Sequence, residues 1–302
     1  MNWTNIKTYL IILLTGINIF LAASYINSMN QSAYLDNNTI INTVEFLEKQ
    51  GIEVSKDEVP TKIYNSNIFE CTYSEDYYEN VASSISSSEK ESINILPDNS
   101  IRITTADGSL FTFDSGFGFS YSRATYDIND RLLPLEHTAD SEKSYTLSKE
   151  QHKTLSSFLY PENQTNKAFS YSIKAVEKIS NDNVNAVCIQ LIDGIPLYEH
   201  TVSVQFDMNG IISADGNWFF PTLSESYNYR LYDQLSVLVK EAQIHKSSEA
   251  STDKYKVTAV NHLYTTYWSA SKDKVYFIPS WSIATDKNEQ RIYNAISCEL
   301  YS

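Results

Sequence analysis

Residues 274–296, KVYFIPSWSIATDKNEQRIYNAI, alternate apolar or aromatic side chains with polar ones, and a proline breaks the alternation just before a tryptophan. A period of two sends successive side chains to opposite faces, so such a run reads as a strand with one covered face. Pro279 removes a backbone donor, which a sheet tolerates at an edge, at a bulge or at a strand's first residue. Trp281 and Ile283 resume on one face, and TDKNEQ turns the chain into a return strand with Ile292 and Tyr293. The stretch is expected to form a hairpin with a bent first arm that closes one end of a core, a structural element rather than a catalytic one.

The same alternation recurs at 61–73, 100–124, 168–179, 184–192, 196–219 and 255–269, with turns at Asp107-Gly108 and Asn209-Gly210. Only 8 Gly stand against 22 Tyr and 13 Phe, a balance that favours packed sheet over disorder. Three segments have helical spacing instead. The first, 36–54, carries Asn37 or Asn38 as cap, Ile40, Ile41, Val44, Phe46 and Leu47 as apolar side, and Gly51 as C-cap. The second begins with a Ser148/Gln151 capping box and stops at Pro161, and the third, 227–245, spaces Leu231, Leu235, Leu238 and Val239 by three or four. The serine-rich 84–92 reads as a solvated loop, and the aperiodic 131–143 as a boundary between halves. Helix-then-strands order starting near 38, 148 and 228 favours an α+β fold of antiparallel sheets each covered by helices, divided into domains 28–145 and 146–302.

Residues 1–27 are set apart. No charge occurs between Lys7 and Asp36, and TYLIILLTGINIFLAASYI (8–26) has about the length of one bilayer-spanning helix. The expected arrangement is an uncleaved transmembrane anchor with a cytoplasmic N-terminus and the bulk of the chain outside, a single-pass protein of the cell membrane in contact with the lipid bilayer. A cleaved signal peptide, with Ala22 and Ser24 at the −3 and −1 positions, is the competing reading. Asn18, with Thr15 and Gly16 one turn away, is the candidate partner contact inside the bilayer, since an amide there can hydrogen-bond to a neighbouring helix. The net charge of −14 repels nucleic acid and anionic surfaces. Cys71, Cys188 and Cys298 are widely spaced and odd in number, which fits three buried thiols better than a disulfide framework.

Catalytic patterns are missing from the sequence. There is no Gly-x-Ser-x-Gly elbow, and His137, His152, His200, His245 and His262 are scattered without the i, i+4 pairing of zinc-binding helices. His200 is the most strand-embedded, and His245 sits where a helix C-terminus favours a cation. Acid pairs such as Glu75-Asp76 lie in polar segments, and 284–291 lacks the glycine and spacing of a calcium loop. The chain is therefore expected to be no enzyme and to hold no cofactor or metal. Its tyrosines can line a groove for sugar or peptide, though strand aromatics more often form core and cross-strand pairs.

A resemblance joins these features. The N-terminal apolar run behind Trp3 and Lys7, the helix ending LEKQGIEV, the mid-chain DGIPLYEHTVSVQFDMNGII and the final FIPSWSIATD…RIYNAI are similar to the YycI proteins. YycI and its relative YycH are accessory regulators of the WalK/WalR (YycG/YycF) two-component system of Gram-positive bacteria. The hairpin at 193–216 also resembles PepSY-type domains, and 125–145 matches nothing in the family. The resemblance implies a regulator of a sensor histidine kinase in cell-wall signalling, acting by protein contact, with a YycH-like sister protein as a further partner. Such a regulator must bind one kinase conformation better than another. The alternatives are a PepSY-like binding module for a peptidase or cell-wall ligand, and a wall hydrolase.

Overall fold

A computed structural model describes residue 17 and residues 34–72, 76–86, 89–114, 116–124, 146–160, 168–180, 183–207, 209–220, 224–247, 254–270 and 274–301. In chain order its elements are α1 (Asn37–Lys49), β1 (Ile52–Val54), β2 (Asn67–Thr72), α2 (Tyr77–Ser86), β3 (Lys90–Ile95), β4 (Ile101–Thr105), β5 (Leu110–Phe113), β6 (Gly118–Ser122) and α3 (Lys149–Leu159). Then follow β7 (Phe169–Lys178), β8 (Val184–Ile192), β9 (Ile195–Asp207), β10 (Gly210–Asn217), β11 (Ser224–Asn228), α4 (Gln234–Ser247), β12 (Tyr255–Trp268), β13 (Lys274–Thr285) and β14 (Gln290–Asn294).

Two expectations are corrected. The first is the α+β fold of antiparallel sheets each under its own helices. Strand takes 49% of the described residues against 24% for helix, so the sheet carries the fold. Its pairing is mixed: β1 runs parallel to β12, and β12 meets β9 in parallel at Tyr264↔Leu197. The physical reason is strand length. Strands of 12 to 14 residues such as β9, β12 and β13 take several partners each, so strands from different stretches of chain share ladders. Helix-then-strand order fixes neighbours along the chain and leaves open which distant edges meet.

The second correction concerns the transmembrane anchor and the cell-membrane location drawn from it. Among the described residues no helix is long and apolar enough to cross a membrane. The longest, α4, has 14 residues, about 21 Å against about 30 Å of hydrocarbon. Hydropathy states what an isolated segment prefers, not the structure that forms. Apart from Ile17 the 8–26 stretch, with Thr15, Gly16 and Asn18, lies outside the described residues, as does the expected boundary at 131–143.

The chain folds into two compact units, Met1–Ser66 with Tyr229–His262 and Pro279–Ser302, and Asn67–Asn228 with Leu263–Ile278. In the first unit Asp36 rather than Asn37 or Asn38 caps α1, its carboxylate accepting from the Thr39 amide at 3.2 Å. Gly51 ends the helix with φ +86°, a conformation that costs a residue with a Cβ. Helix α4 begins at Gln234, later than the alternation suggests, because Asp233 supplies the cap: its Oδ1 accepts from the Ser236 amide at 2.8 Å. From α4 the buried Glu241 carboxylate accepts from Arg291 and from the hydroxyls of Tyr255 and Tyr293, tying the helix to β12 and β14. Trp281 is buried beside them, its Nε1 donating to the Tyr232 carbonyl at 2.9 Å with the His262 and Tyr64 rings against it.

Pro279 lies where β13 changes partners. β2 pairs with Lys274–Phe277, and β14 pairs from Ser280 to Ala284, so the missing N–H falls in the gap between two ladders. The expected hairpin over 274–296 forms as read, with Asn288 at φ +59° in its turn.

The second unit orders its strands β11-β2-β13-β12-β9-β10-β6-β5-β4-β3, with β8 on β9 and β7 on β8. The Ser148/Gln151 capping box of α3 forms with both bonds in place. All three cysteines are buried. The core is aromatic, and through it runs 218–220, three buried residues outside any strand. Buried backbone outside a ladder needs other partners, and side chains provide them. The Phe219 amide donates to Gln190 Oε1 at 3.0 Å while Gln190 Nε2 donates to the Phe219 carbonyl at 2.6 Å. The Tyr77 hydroxyl accepts from the Phe220 amide at 2.8 Å and donates to its carbonyl at 3.0 Å. Gln190 shares the buried face of β8 with Ala186, Cys188 and Ile192, at the point where β8 and β9 lose register between Ile189 and Leu191 and β9 swells over 197–200 beside β12.

Candidate functional site

Of the sequence candidates, Thr15, Gly16 and Asn18 lie outside the described residues. Among the described residues no three His, Cys, Asp or Glu side chains gather closely enough to hold a metal ion. In the first unit a cleft of about 360 Å³ is lined by Glu48, Gly51, Glu53, Val54, Ser55, Lys254 and Lys256, two carboxylates and two ammonium groups among them.

His200 sits in the swollen part of β9, in the second unit. Its Nε2 is 3.2 Å from Thr266 Oγ1, and its ring lies 5.5 Å from that of Phe117. Glu199 beside it and Phe117 above it both have positive φ, +60° and +66°. Gly216, opposite Val202, has φ +147°, and a Cβ there would lie 2.2 Å from the Thr201 carbonyl oxygen, so only glycine fits. Burial lowers the pKa of His200 to about 4; in the first unit burial, with the Lys62 ammonium adding, does the same to His262. An unfolded histidine takes its proton near pH 6.5. Between pH 6.5 and 4 the unfolded chain thus binds more protons than the folded one. Stability is fully present above 6.5 and falls as the pH drops toward 4, by about 3 kcal/mol for His200. The variant His200→Gln, which keeps a hydrogen-bonding side chain but no titration, should show a clearly shallower loss. Urea unfolding at pH 7 and pH 4.5 checks this, and an unchanged pH slope would refute it.

The other site is a surface. On β2 and β13, Phe69, Cys71, Val275 and Phe277 turn into the core of the second unit. Alternation therefore sends Ile68, Glu70, Lys274 and Tyr276 to the opposite face. Register carries the row onto β11, where Tyr227 stands across from Ile68 and Glu225 across from Glu70. The Tyr267 ring of β12 lies 6.5 Å from that of Tyr276. Tyr227 and Tyr267 are 39% and 57% exposed, so the face presents aromatic surface to solvent. Lys274 pairs with Glu70. The Tyr227 hydroxyl donates to Glu225 at 2.6 Å, and that bond, with a smaller desolvation effect, pushes its pKa up to about 12.

This face ends at an edge. Among the described strands of the second unit, β3, β7 and β11 each have one neighbour only. Proteins blunt such edges with bulges and lysines. β3 has a register shift at Lys90/Ser92, and β7 has one at Ile173/Ala175 together with Lys174 and Lys178. β11 has neither device: it pairs with β2 in unbroken antiparallel register over five residues, SESYN. Sequence reasoning missed β11, because five residues with four small or polar side chains carry no apolar alternation, and YNYRLYDQ reads as the start of the next helix. The available signal was Asp233, which places the helix start downstream and frees 224–228.

No family model matches the chain, and no curated protein matches it. A solved structure of an uncharacterized protein from Eubacterium rectale ATCC 33656 is similar at 12% identity, covering 88% of this chain and 99% of that one with a TM-score of 0.42, a likeness that carries no argument about fold or function.

Proposed function

We propose that this chain works by contact, holding a partner protein along the tyrosine face and the β11 edge of its second unit, and turns over no substrate. The observation that carries the reading is β11: an edge without bulge or lysine, on a face with exposed Tyr227 and Tyr267 and a partly exposed Tyr276. Backbone groups of an open edge supply hydrogen bonds to an added strand, and flanking aromatics supply area at low entropic cost. The partner class comes from the resemblance to the YycI proteins: a sensor histidine kinase, one of whose signalling states would be bound in preference. Combined replacement Tyr227→Ser, Tyr267→Ser and Tyr276→Ser should weaken capture of the sensor domain of such a kinase by tenfold or more, on the order of the loss of two aromatic anchors. Surface plasmon resonance with the full chain measures it, and undiminished capture by the folded triple variant would overturn the reading.

A second reading, a module for a cell-wall ligand, draws on the neighbouring Tyr267 and Tyr276 rings, which suit stacking on sugar. Binding of soluble wall fragments that the same triple replacement abolishes would favour it.

A further inference from the structure

Glu225 and Glu70 stand directly across from each other on β11 and β2. Like charges in that position oppose each other. One cation, Lys274, pairs with Glu70, while Glu225 receives the neutral hydroxyl of Tyr227. The pair thus holds one more carboxylate than cation, and the surplus sits on the outer strand, where the next strand would be laid. A residue of such a strand opposite Glu225 would stand about 5 Å from it, Cβ to Cβ, and one two places away would face Tyr227.

We infer that the occupant of the β11 edge is an extended segment of a partner protein with a basic side chain opposite Glu225 and an apolar one opposite Tyr227. This rests on the contact reading above and names what the partner must bring. A second copy of this chain is the poorer occupant: it would add its own Glu70 and Glu225 and a net charge of −14. Charge complementarity selects partner and register more strongly than it adds affinity, so the signature is a preference between otherwise equal strands.

The probes are two end-blocked, fluorophore-labelled peptides, Thr-Ile-Thr-Arg-Thr-Ile-Thr and the same sequence with Glu in place of Arg. With the full chain, the Arg peptide should bind about fivefold tighter by fluorescence anisotropy and should slow deuterium uptake at 224–228. Glu225→Arg should reverse the preference, and Glu225→Gln should abolish it. Glu225 is exposed, and circular dichroism confirms that both variants are folded. Equal binding of the two peptides, or a preference that Glu225→Arg leaves in place, would overturn the inference. So would slowed uptake at 224–228 that grows with protein concentration alone, which is the mark of a second copy. If charge preference is absent while tyrosine-dependent capture of the kinase domain persists, this inference falls and the contact reading stands; if both are absent, both fall.

Discussion

Glu241→Ala should lower the unfolding free energy by about 3–5 kcal/mol, the cost of removing one partner from a buried ion pair. The carboxylate is fully buried and receives three donors: the Arg291 guanidinium and the Tyr255 and Tyr293 hydroxyls. Burial, and then the bonds to Glu241, raise the pKa of both phenols, so they stay protonated donors throughout the working pH range. Alanine would leave these two phenols without their acceptor and the partly exposed guanidinium with Glu289 alone. Glu241→Gln keeps one acceptor oxygen and should recover part of the loss. Adding Arg291→Met to Glu241→Ala should cost less than the two single changes summed, since both remove the same ion pair. Urea titration with an unchanged m-value reads each step; a loss below about 1 kcal/mol for Glu241→Ala would show that the carboxylate is not the tether of α4.

Gln190→Met should destabilise the second unit by about 4 kcal/mol, although methionine nearly matches glutamine in volume. The amide closes a two-bond ring with the Phe219 backbone, at 2.6 and 3.0 Å, in a site without solvent exposure. Its removal orphans a buried N–H and a buried C=O, at about 1–3 kcal/mol each. Because the packing volume is kept, the loss reports hydrogen bonding rather than a cavity. Tyr77→Phe, which breaks the neighbouring pair of bonds to Phe220, is the companion test. Amide exchange at Phe219 should quicken in Gln190→Met; protection equal to that of the parent would mean that some other group serves this backbone.

What the sequence makes legible is local. The Ser148/Gln151 box, the Gly51 cap, the Asp107-Gly108 turn and the hairpin through Trp281 depend on residues within a few positions of each other, and each forms as its pattern predicts. What it hides is the choice of distant partners. Nothing in the sequence around Leu197 or Tyr264 announces that β9 and β12 meet in parallel, because a period of two is the same for either strand direction. Helix α2 at Tyr77–Ser86 is hidden for another reason: its serines favour loops on propensity, while Tyr77, Val81 and Ala82 are drawn onto the core. The candidate face was half visible. Abundant tyrosine pointed to a binding surface, but which tyrosines share a face follows from the register of β11, β2 and β13, which only the fold supplies.

The route of the chain has a practical outcome for dissecting it. The polypeptide passes from one unit to the other after Ser66, Asn228, His262 and Ile278, and the last two crossings fall inside β12 and β13. Neither unit is therefore a continuous segment, and a piece that stops at Asn228 lacks Phe277, the β13 partner of Phe69, and the Tyr264 ring packed against Phe69. Truncation after Asn228 leaves an unfinished sheet, so point substitutions in the intact polypeptide, not excised halves, are the way to assign work to either unit.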